Sequence, residues 1–418
     1  MQYFFDPHCH VMTLQHPNLV SFINSIDSSL PDFLRSGALS PSYILTMRNL
    51  NVGNMFSTLM NTLRAFEGPI ERILAMMEDD LAGTYTNRSP LLPYPEKPFF
   101  RDGKFHFRDM EFDRVALCPL LMDFSILESE KQKMYYTQPG ENKIADYAED
   151  TVAGIEAYYG TREHHLFDIF PFLGINPKAH TLKEIECLLD TYVTTDHVII
   201  RERHTKKRFF GVKFYPPLGF DAWPKEKEER KKVEALYQFC TTYDLPVITH
   251  CDDQGFRTYP TKYSWEWTSP NHYIPALERY PELRLDFAHF GTQYSGKSRA
   301  TLNAIAATVA GQPSSPWFHQ IIELMKIYPH VMSDFSFSGT IATFYEEVLT
   351  YLAAQDERTR EELKQRMMFG SDFSINLLKV ESYTQYYELF ARSGFSDADV
   401  IRFAQTNPMA FLGLKETT

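Results

Sequence analysis

Two histidines separated by one residue, His8 and His10 in the run DPHCH, are the first residues of this chain that suit metal chemistry. On an extended strand, residues two apart point to the same face, with backbones about 7 Å apart. Two imidazoles can converge on one ion from there, since Zn–N bonds are about 2.0–2.1 Å long. Alone, the HxH spacing is weak, and a packed or surface pair would explain it equally well. Further donors strengthen it. His250 ends VITH, His289 ends LDFAH and Asp372 ends MMFGSD. Three imidazoles and a carboxylate make a borderline-soft donor set that suits Zn²⁺. Lys213 in GVKFYPP is a further ionisable group at a strand position.

The elements that must position these groups are short, apolar, β-rich runs. They lie at 2–6, 114–121, 167–174, 209–215, 245–250, 283–289, 330–336 and 366–372. Most are apolar throughout rather than alternating, as strands buried on both faces are. Helical patterns separate them at 142–160, 181–193, 226–243, 271–280, 317–328, 341–354 and 379–392. Strand–helix alternation on this scale predicts an α/β fold, a (β/α)₈ TIM barrel over 1–418, with a doubly wound open sheet as runner-up. In such a barrel the C-terminal strand ends surround one point. His8, His10, His250, His289 and Asp372 would meet there. Residues 11–110 break the repeat. They read as a largely helical insertion after the first strand, helical over 55–82 and a loop over 89–105. Its place in the chain suggests a lid or an oligomer interface.

Composition narrows the functional classes. The chain has 418 residues and a net charge of -12, with a pI near 5.6. That argues against a nucleic-acid partner, which needs a concentrated basic surface. The five cysteines form no CxxC pair, which fits reduced thiols in a cytoplasm. The first residues have neither the basic nor the long apolar region of a secretion signal. No apolar run reaches membrane-spanning length. The expectation is a soluble cytoplasmic protein with a small-molecule substrate, no nucleic-acid or membrane partner, and possible homo-oligomers.

The chain resembles the amidohydrolase superfamily, and more closely its amidohydrolase-related branch, which includes aminocarboxymuconate-semialdehyde decarboxylase and other aromatic-acid decarboxylases. The residues that carry the likeness are DPHCH, GVKFYPPLGF, ITHCDDQG, SPNHYIPALERYPELRLDFAHFG, YPHVMSDFS, FGSDFS and NPMAFLGL. The resemblance implies one divalent ion, expected as Zn²⁺, on His8, His10, His250 and Asp372. Asp372 would also take a proton from bound water, and His289 would face the substrate. Lys213 is ambiguous. As a carboxylated lysine it would bridge a second ion. As an ammonium it would attract an anionic substrate, or pair with Asp6 or Asp334. Tyr215 and Arg257 are candidate substrate contacts, with Asp252, Asp253, Tyr294, Lys297 and Arg299 on the same mouth loops. The function expected first is metal-dependent hydrolysis of a small acidic or cyclic substrate through a metal-activated water. The alternative is non-oxidative decarboxylation on the same scaffold. A barrel that binds metal or ligand without chemistry is a third reading.

Overall fold

Strand β1 spans Tyr3–Cys9 and is buried along its whole length. Tyr3 and Phe5 point into the barrel, where they join an inner apolar cluster. Phe4 points outward and packs against Phe105, Phe112, Phe369 and Tyr387. Strict alternation would then send His8 and His10 outward too. The pairing register shifts between Asp6 and Cys9. An extra residue in a strand reverses the faces that follow it. Beyond the shift, Cys9 lies in the outer core, while His8 and His10 turn inward.

The computed structural model describes residues 1–13, 16, 65–86, 95–125, 143–161, 164–197, 205–257, 259–293, 316–341 and 343–414. β1 is followed by helix α1 (Ile70–Leu81). Three short strands come next: β2 (Phe100–Arg101), β3 (Lys104–Phe107) and β4 (Met110–Phe112). The repeat then runs β5 (Arg114–Pro119), α2 (Ile144–Thr161), β6 (Phe167–Ile169), β7 (Phe172–Gly174), α3 (Leu182–Tyr192), β8 (Gly211–Phe214), α4 (Lys227–Thr242) and β9 (Val247–Thr249). It continues through α5 (Thr261–Thr268), α6 (Ile274–Arg279), β10 (Leu285–Phe287), α7 (Pro316–Ile327) and β11 (Val331–Asp334). It ends with α8 (Phe344–Ala353), α9 (Glu357–Lys364), β12 (Met367–Met368), α10 (Tyr383–Ala391), α11 (Asp397–Ile401) and α12 (Asn407–Phe411). No helix among the described residues is long and apolar enough to cross a membrane.

The fold is a (β/α)₈ barrel. β1, β5 and β6 form one parallel ladder, and β7 to β12 form another. β6 and β7 are two halves of one barrel position, interrupted at Phe170 and Pro171. A bridge from Leu120 to Phe172 joins the ladders on one side, and one from Cys9 to Phe373 joins them on the other. The second seam is therefore held by a single bridge and a few hydrogen bonds rather than by a continuous ladder.

Helices cover the sheet because their apolar residues recur at helical spacing. In α4, Val233, Leu236, Tyr237 and Cys240 are buried, while the Lys and Glu residues face out. In α3, Ile185, Leu189 and Tyr192 are buried, and Thr181 and Glu184 close a capping box at its start. Each fully buried large apolar side chain stabilises the fold by roughly 1.5–3 kcal/mol. Inside the barrel, Tyr3, Phe5, Phe170, Phe210, Ile248, Met332 and Met368 fill the lower half.

The insertion differs from expectation. Its described part is one helix, α1, together with an antiparallel β2–β3–β4 sheet. The stretch 89–105, expected to be a loop, contains β2 and the start of β3. The local signal was Asp102-Gly103, both at positive φ. That dipeptide favours a two-residue hairpin turn. The apolar Phe105 and Phe107 on β3 alternate onto the outward side of Phe4. Arg108 donates to Ala391 O, at the end of α10, and to Phe395 O just beyond it. This sheet therefore flanks β1 at the barrel end opposite the mouth. Residues 17–64 and 87–94 of the insertion lie outside the described residues.

Close strand approach leaves little room at Gly174. A Cβ there would sit 2.3 Å from Leu121 O and 2.8 Å from Asp123 N, both backbone atoms. Gly174→Ala is expected to destabilise the protein by about 1–3 kcal/mol. Urea unfolding monitored by circular dichroism measures this, and an unchanged midpoint would contradict the packing at this position.

Candidate metal centre

His8 and His10 each have one ring nitrogen fixed from behind. His10 Nδ1 donates to Leu120 O at 2.8 Å. His8 Nδ1 donates to Asp334 Oδ2 at 2.7 Å. In the neutral ring, each Nε2 then carries a lone pair. Both lone pairs face Asp372. Its Oδ1 lies 3.3 Å from His8 Nε2 and 3.1 Å from His10 Nε2. His8 Nε2 has no hydrogen-bond partner among the described residues despite that proximity. The two atoms are close but not aligned as N–H···O. Two metal bonds of about 2.1 Å at about 100° to each other separate their donor atoms by about 3.2 Å. The spacing therefore fits donors sharing an ion.

Asp372 reaches this position through an unusual backbone. Its φ is +58°, a region costly for a residue with a Cβ. The seam holds it there. Asp372 N donates to His8 O at 2.8 Å. Ser371 N donates to Asp6 Oδ1 at 2.9 Å, and Tyr383 Oη donates to Asp6 Oδ2 at 2.7 Å. Asp6 thus faces α10 and the seam, not Lys213. Burial pushes its carboxyl up to about 6, against hydrogen bonds from Ser371 and Tyr383.

His289 follows β10, also at positive φ, +63°. Its N donates to Asp334 Oδ1 at 3.0 Å. Its Nδ1 donates to Ser336 O at 3.1 Å. Its Nε2 lies 3.2 Å from His250 Nδ1. Ser336 Oγ sits between the rings, 3.0 Å from His8 Nδ1 and 2.9 Å from His289 Nδ1, and also donates to Asp334. Among the described residues, three groups each bring potential ligand atoms within 4.8 Å of one another: His8 with His10 and Asp372, His8 with His289 and Asp334, and His250 with Asp252 and His289. All these residues are buried.

The electrostatics follow from dry surroundings. Burial favours a protonated Asp372, but the neighbouring His10, His8 and His289 outweigh it and hold the carboxyl well below the ordinary range. Burial pushes His289 down to about 4, so its ring is neutral at neutral pH. Burial also lowers Lys213, to about 8, although Asp334, Asp372, Asp286 and Asp252 pull the other way. Lys213 Nζ has no hydrogen-bond partner among the described residues, and neither Asp286 oxygen has one. Lys213 and Asp286 flank Ile248 at one level of the barrel. Burial and the Asp334 charge push Asp286 well up.

Of the residues expected from sequence, His8, His10 and Asp372 come together. His250 lies beside His289 and Asp252, in a different group of potential ligand atoms from His10 and Asp372. The Tyr215 ring lies 4.5 Å from that of His250, tilted by 32°, and its hydroxyl accepts a hydrogen bond from Phe256 N. Arg257 is near enough for its charge to act on Tyr215. Tyr294, Lys297 and Arg299 lie outside the described residues. Asp334 and Ser336 were not expected to orient the histidines. Their signal was present in SDFS, a second polar run closing a buried strand.

The chain belongs to the amidohydrolase family, whose model matches residues 187–414. It is an enzyme of that family, and its site holds candidate metal-binding groups. No curated protein sequence matches it. Among solved structures it is similar to 5-carboxyvanillate decarboxylase from Novosphingobium aromaticivorans, with bound manganese, at 11% identity and a TM-score of 0.48, over 99% of this chain and 97% of that one. It is also similar to dihydroxybenzoic acid decarboxylase from Polaromonas sp. JS666, with manganese, at 10% identity and a TM-score of 0.48, over 100% and 98%. A probable 2-pyrone-4,6-dicarboxylic acid hydrolase from Acinetobacter baumannii gives 12% identity and a TM-score of 0.41, over 72% and 84%.

Lys213 carries a stability cost with a definite pH signature. Its folded pKa lies below its unfolded value of 10.5. The folded state therefore binds fewer protons between about pH 8 and 10.5, and stability rises with pH across that window. At neutral pH the whole cost is present, about 3 kcal/mol at 1.36 kcal/mol per unit. Lys213→Met should raise the Tm of the metal-free protein at pH 7. The gain should vanish by pH 10.5. Calorimetry across that range measures both, and a variant less stable at pH 7 would refute the assignment.

Proposed function

We propose that this protein is a metal-dependent carbon–carbon lyase that removes a carboxyl group, without oxidation, from a small acidic substrate. The observation that carries this reading is Lys213, a buried ammonium with no hydrogen-bond partner among the described residues. A buried cation needs an anion or a compensating hydrogen bond. Asp334, Asp372, Asp286 and Asp252 already place anionic charge near it, and a substrate carboxylate would supply the hydrogen bond.

His8, His10 and Asp372 would hold the ion through His8 Nε2, His10 Nε2 and the Asp372 carboxylate. The donor set suits Zn²⁺ and Mn²⁺ alike. When bound, a divalent ion supplies Lewis acidity at the reacting group. The rest falls to the chain's own residues. Lys213 orients the carboxylate, and Tyr215 and Arg257 line the approach to it. As the C–C bond breaks, its electron pair stays on the substrate carbon, CO₂ leaves, and a proton takes its place. Groups that keep a proton at neutral pH must provide it. Lys213, with its pKa lowered to about 8, is near the best value for proton transfer at neutral pH. Asp286, whose carboxyl burial pushes well up, lies at the same level. His289, held by Ser336 O and beside His250, stays neutral at neutral pH and adds no charge of its own.

A second reading is hydrolysis, favoured by one observation. Asp372 is an ionised carboxylate between two imidazoles, a proton acceptor placed where water would be activated. Isotopes separate the two. With a panel of aromatic acids, unsaturated acids and lactones, the lyase releases CO₂ and incorporates no ¹⁸O from labelled water. Label in the product without CO₂ would replace the lyase by the hydrolase.

Under the lyase reading, Asp372→Asn should lower kcat on the order of 10²–10⁴-fold. Lys213→Met should raise KM for carboxylated substrates while the protein stays folded. Unchanged KM in a folded Lys213→Met variant would remove lysine from substrate recognition.

A further inference from the structure

We propose that Asp80, at the end of helix α1, is a positioning residue for the metal centre: it anchors α10, whose Tyr383 holds Asp6 and, through Asp6, the turn that carries Asp372. This deepens the reading of His8, His10 and Asp372 as metal ligands and rests on it.

Helix α1 lies in the stretch whose place in the chain suggested a lid or an oligomer interface. It is fastened to the barrel's own helices. At its start it crosses α2 closely, where a Cβ added to Gly154 would sit 2.5 Å from Ile70 Cβ. Near its end, the buried Glu78 accepts from Tyr158 Oη of α2 and, at 2.9 Å, from Leu166 N just before β6. Asp80, 3% exposed, reaches the other way. Its Oδ2 accepts from Thr384 N at 2.7 Å, and its carbonyl accepts from Thr384 Oγ1 at 2.7 Å. α2 follows β5 and α10 follows β12. β5 and the chain just beyond β12 flank β1. α1 therefore ties together the helices on either side of β1.

A buried carboxylate is costly unless donors answer it. Thr384 N belongs to the first turn of α10, where amides lack partners within the helix. An anion there also meets the positive end of the helix dipole. Ser382 already caps Gln385 N in the same turn, so Asp80 serves a different amide.

Tyr383, the residue before Thr384, carries the link inward. Its ring packs against Phe373 at 4.9 Å, and its hydroxyl donates to Asp6 Oδ2 at 2.7 Å. That hydroxyl has one proton, so in the 2.9 Å contact with Tyr387 Oη the donor is Tyr387. Asp6 Oδ1 accepts from Ser371 N at 2.9 Å, and Ser371 Oγ accepts from Phe373 N at 3.0 Å. Asp372 lies between these two residues. The path from Asp80 runs through Thr384, Tyr383, Asp6 and Ser371, all buried. A first turn of α10 released by Asp80 would carry Tyr383 away from Asp6.

Mn²⁺ titration calorimetry of the metal-free full chain tests this, at a temperature where circular dichroism shows each variant folded. Tyr383→Phe keeps the ring and removes the hydroxyl. It should weaken Mn²⁺ binding on the order of 10–100-fold, as removal of groups that orient ligands does. Asp80→Ala should weaken it about 10-fold, and Asp80→Asn, which keeps an acceptor oxygen, should recover most of the loss. In the Tyr383→Phe background, Asp80→Ala should add less than about 2-fold, because both act along one path. Glu78→Gln, on the same helix but joined to α2, should lower Tm and leave Mn²⁺ affinity unchanged. If Asp80→Ala does not fold, Thr384→Val, which removes the hydroxyl bond to Asp80 O, is measured in its place with the same direction expected. Wild-type Mn²⁺ affinity in the folded variant overturns the proposal. An equal loss in Glu78→Gln, or a fully additive loss in the double variant, also overturns it. In those cases wild-type binding that Asp372→Asn abolishes leaves the metal centre standing. No Mn²⁺ binding by wild type overturns the metal centre and the proposal together.

Discussion

Acceptor atoms turned toward one another in a dry interior are the constraint on which this structure depends. Asp372 faces the Nε2 atoms of His8 and His10. In a low-dielectric interior such an arrangement is costly unless positive charge is added. The surrounding protein is built to keep the groups there. Asp334 and the Leu120 carbonyl fix the outer nitrogens of His8 and His10. Ser336 bridges His8 to His289, so the two rings cannot choose their tautomers independently. Outer hydrogen bonds of this kind orient metal ligands and tune their basicity.

The same logic explains the barrel seam. β12 and β1 do not pair by a continuous ladder. Asp6, Ser371 and Tyr383 hold the chain together where Asp372 adopts a positive φ. A regular ladder would leave Asp372 extended and aim its carboxylate elsewhere. The register shift in β1 serves the same end, giving an apolar lower barrel and a polar top from one strand.

Lys213 shows how function and stability oppose each other here. A buried ammonium with no hydrogen-bond partner among the described residues is a poor choice for a core, and an apolar residue of similar length would pack there at less cost. Groups of this kind collect at active sites, where a ligand completes them. Asp286 and Asp334, on neighbouring strands, make the contrast. One carboxyl is pushed well up and the other held well down, because only Asp334 has histidine and serine donors around it.

Much of this was legible in the chain. The near-continuous apolar runs located all eight barrel positions, since strands buried on both faces carry that signature. HxH and the polar residues closing VITH, LDFAH and MMFGSD marked the mouth, because an ionisable residue at the end of an apolar strand has few other reasons to be there. The β2–β3–β4 sheet was missed although Asp102-Gly103 announced its turn, because its strands are too short for periodicity to register. The sequence by itself determined which candidate ligand residues end strands of the barrel. Only the tertiary structure decided which atoms meet. Inward direction at His8 depends on a register shift, and the place of His289 beside His250 depends on the Asp334 carboxylate and the Ser336 carbonyl. Both are set by chain segments far apart in sequence, and no local pattern encodes the hydrogen bonds between them.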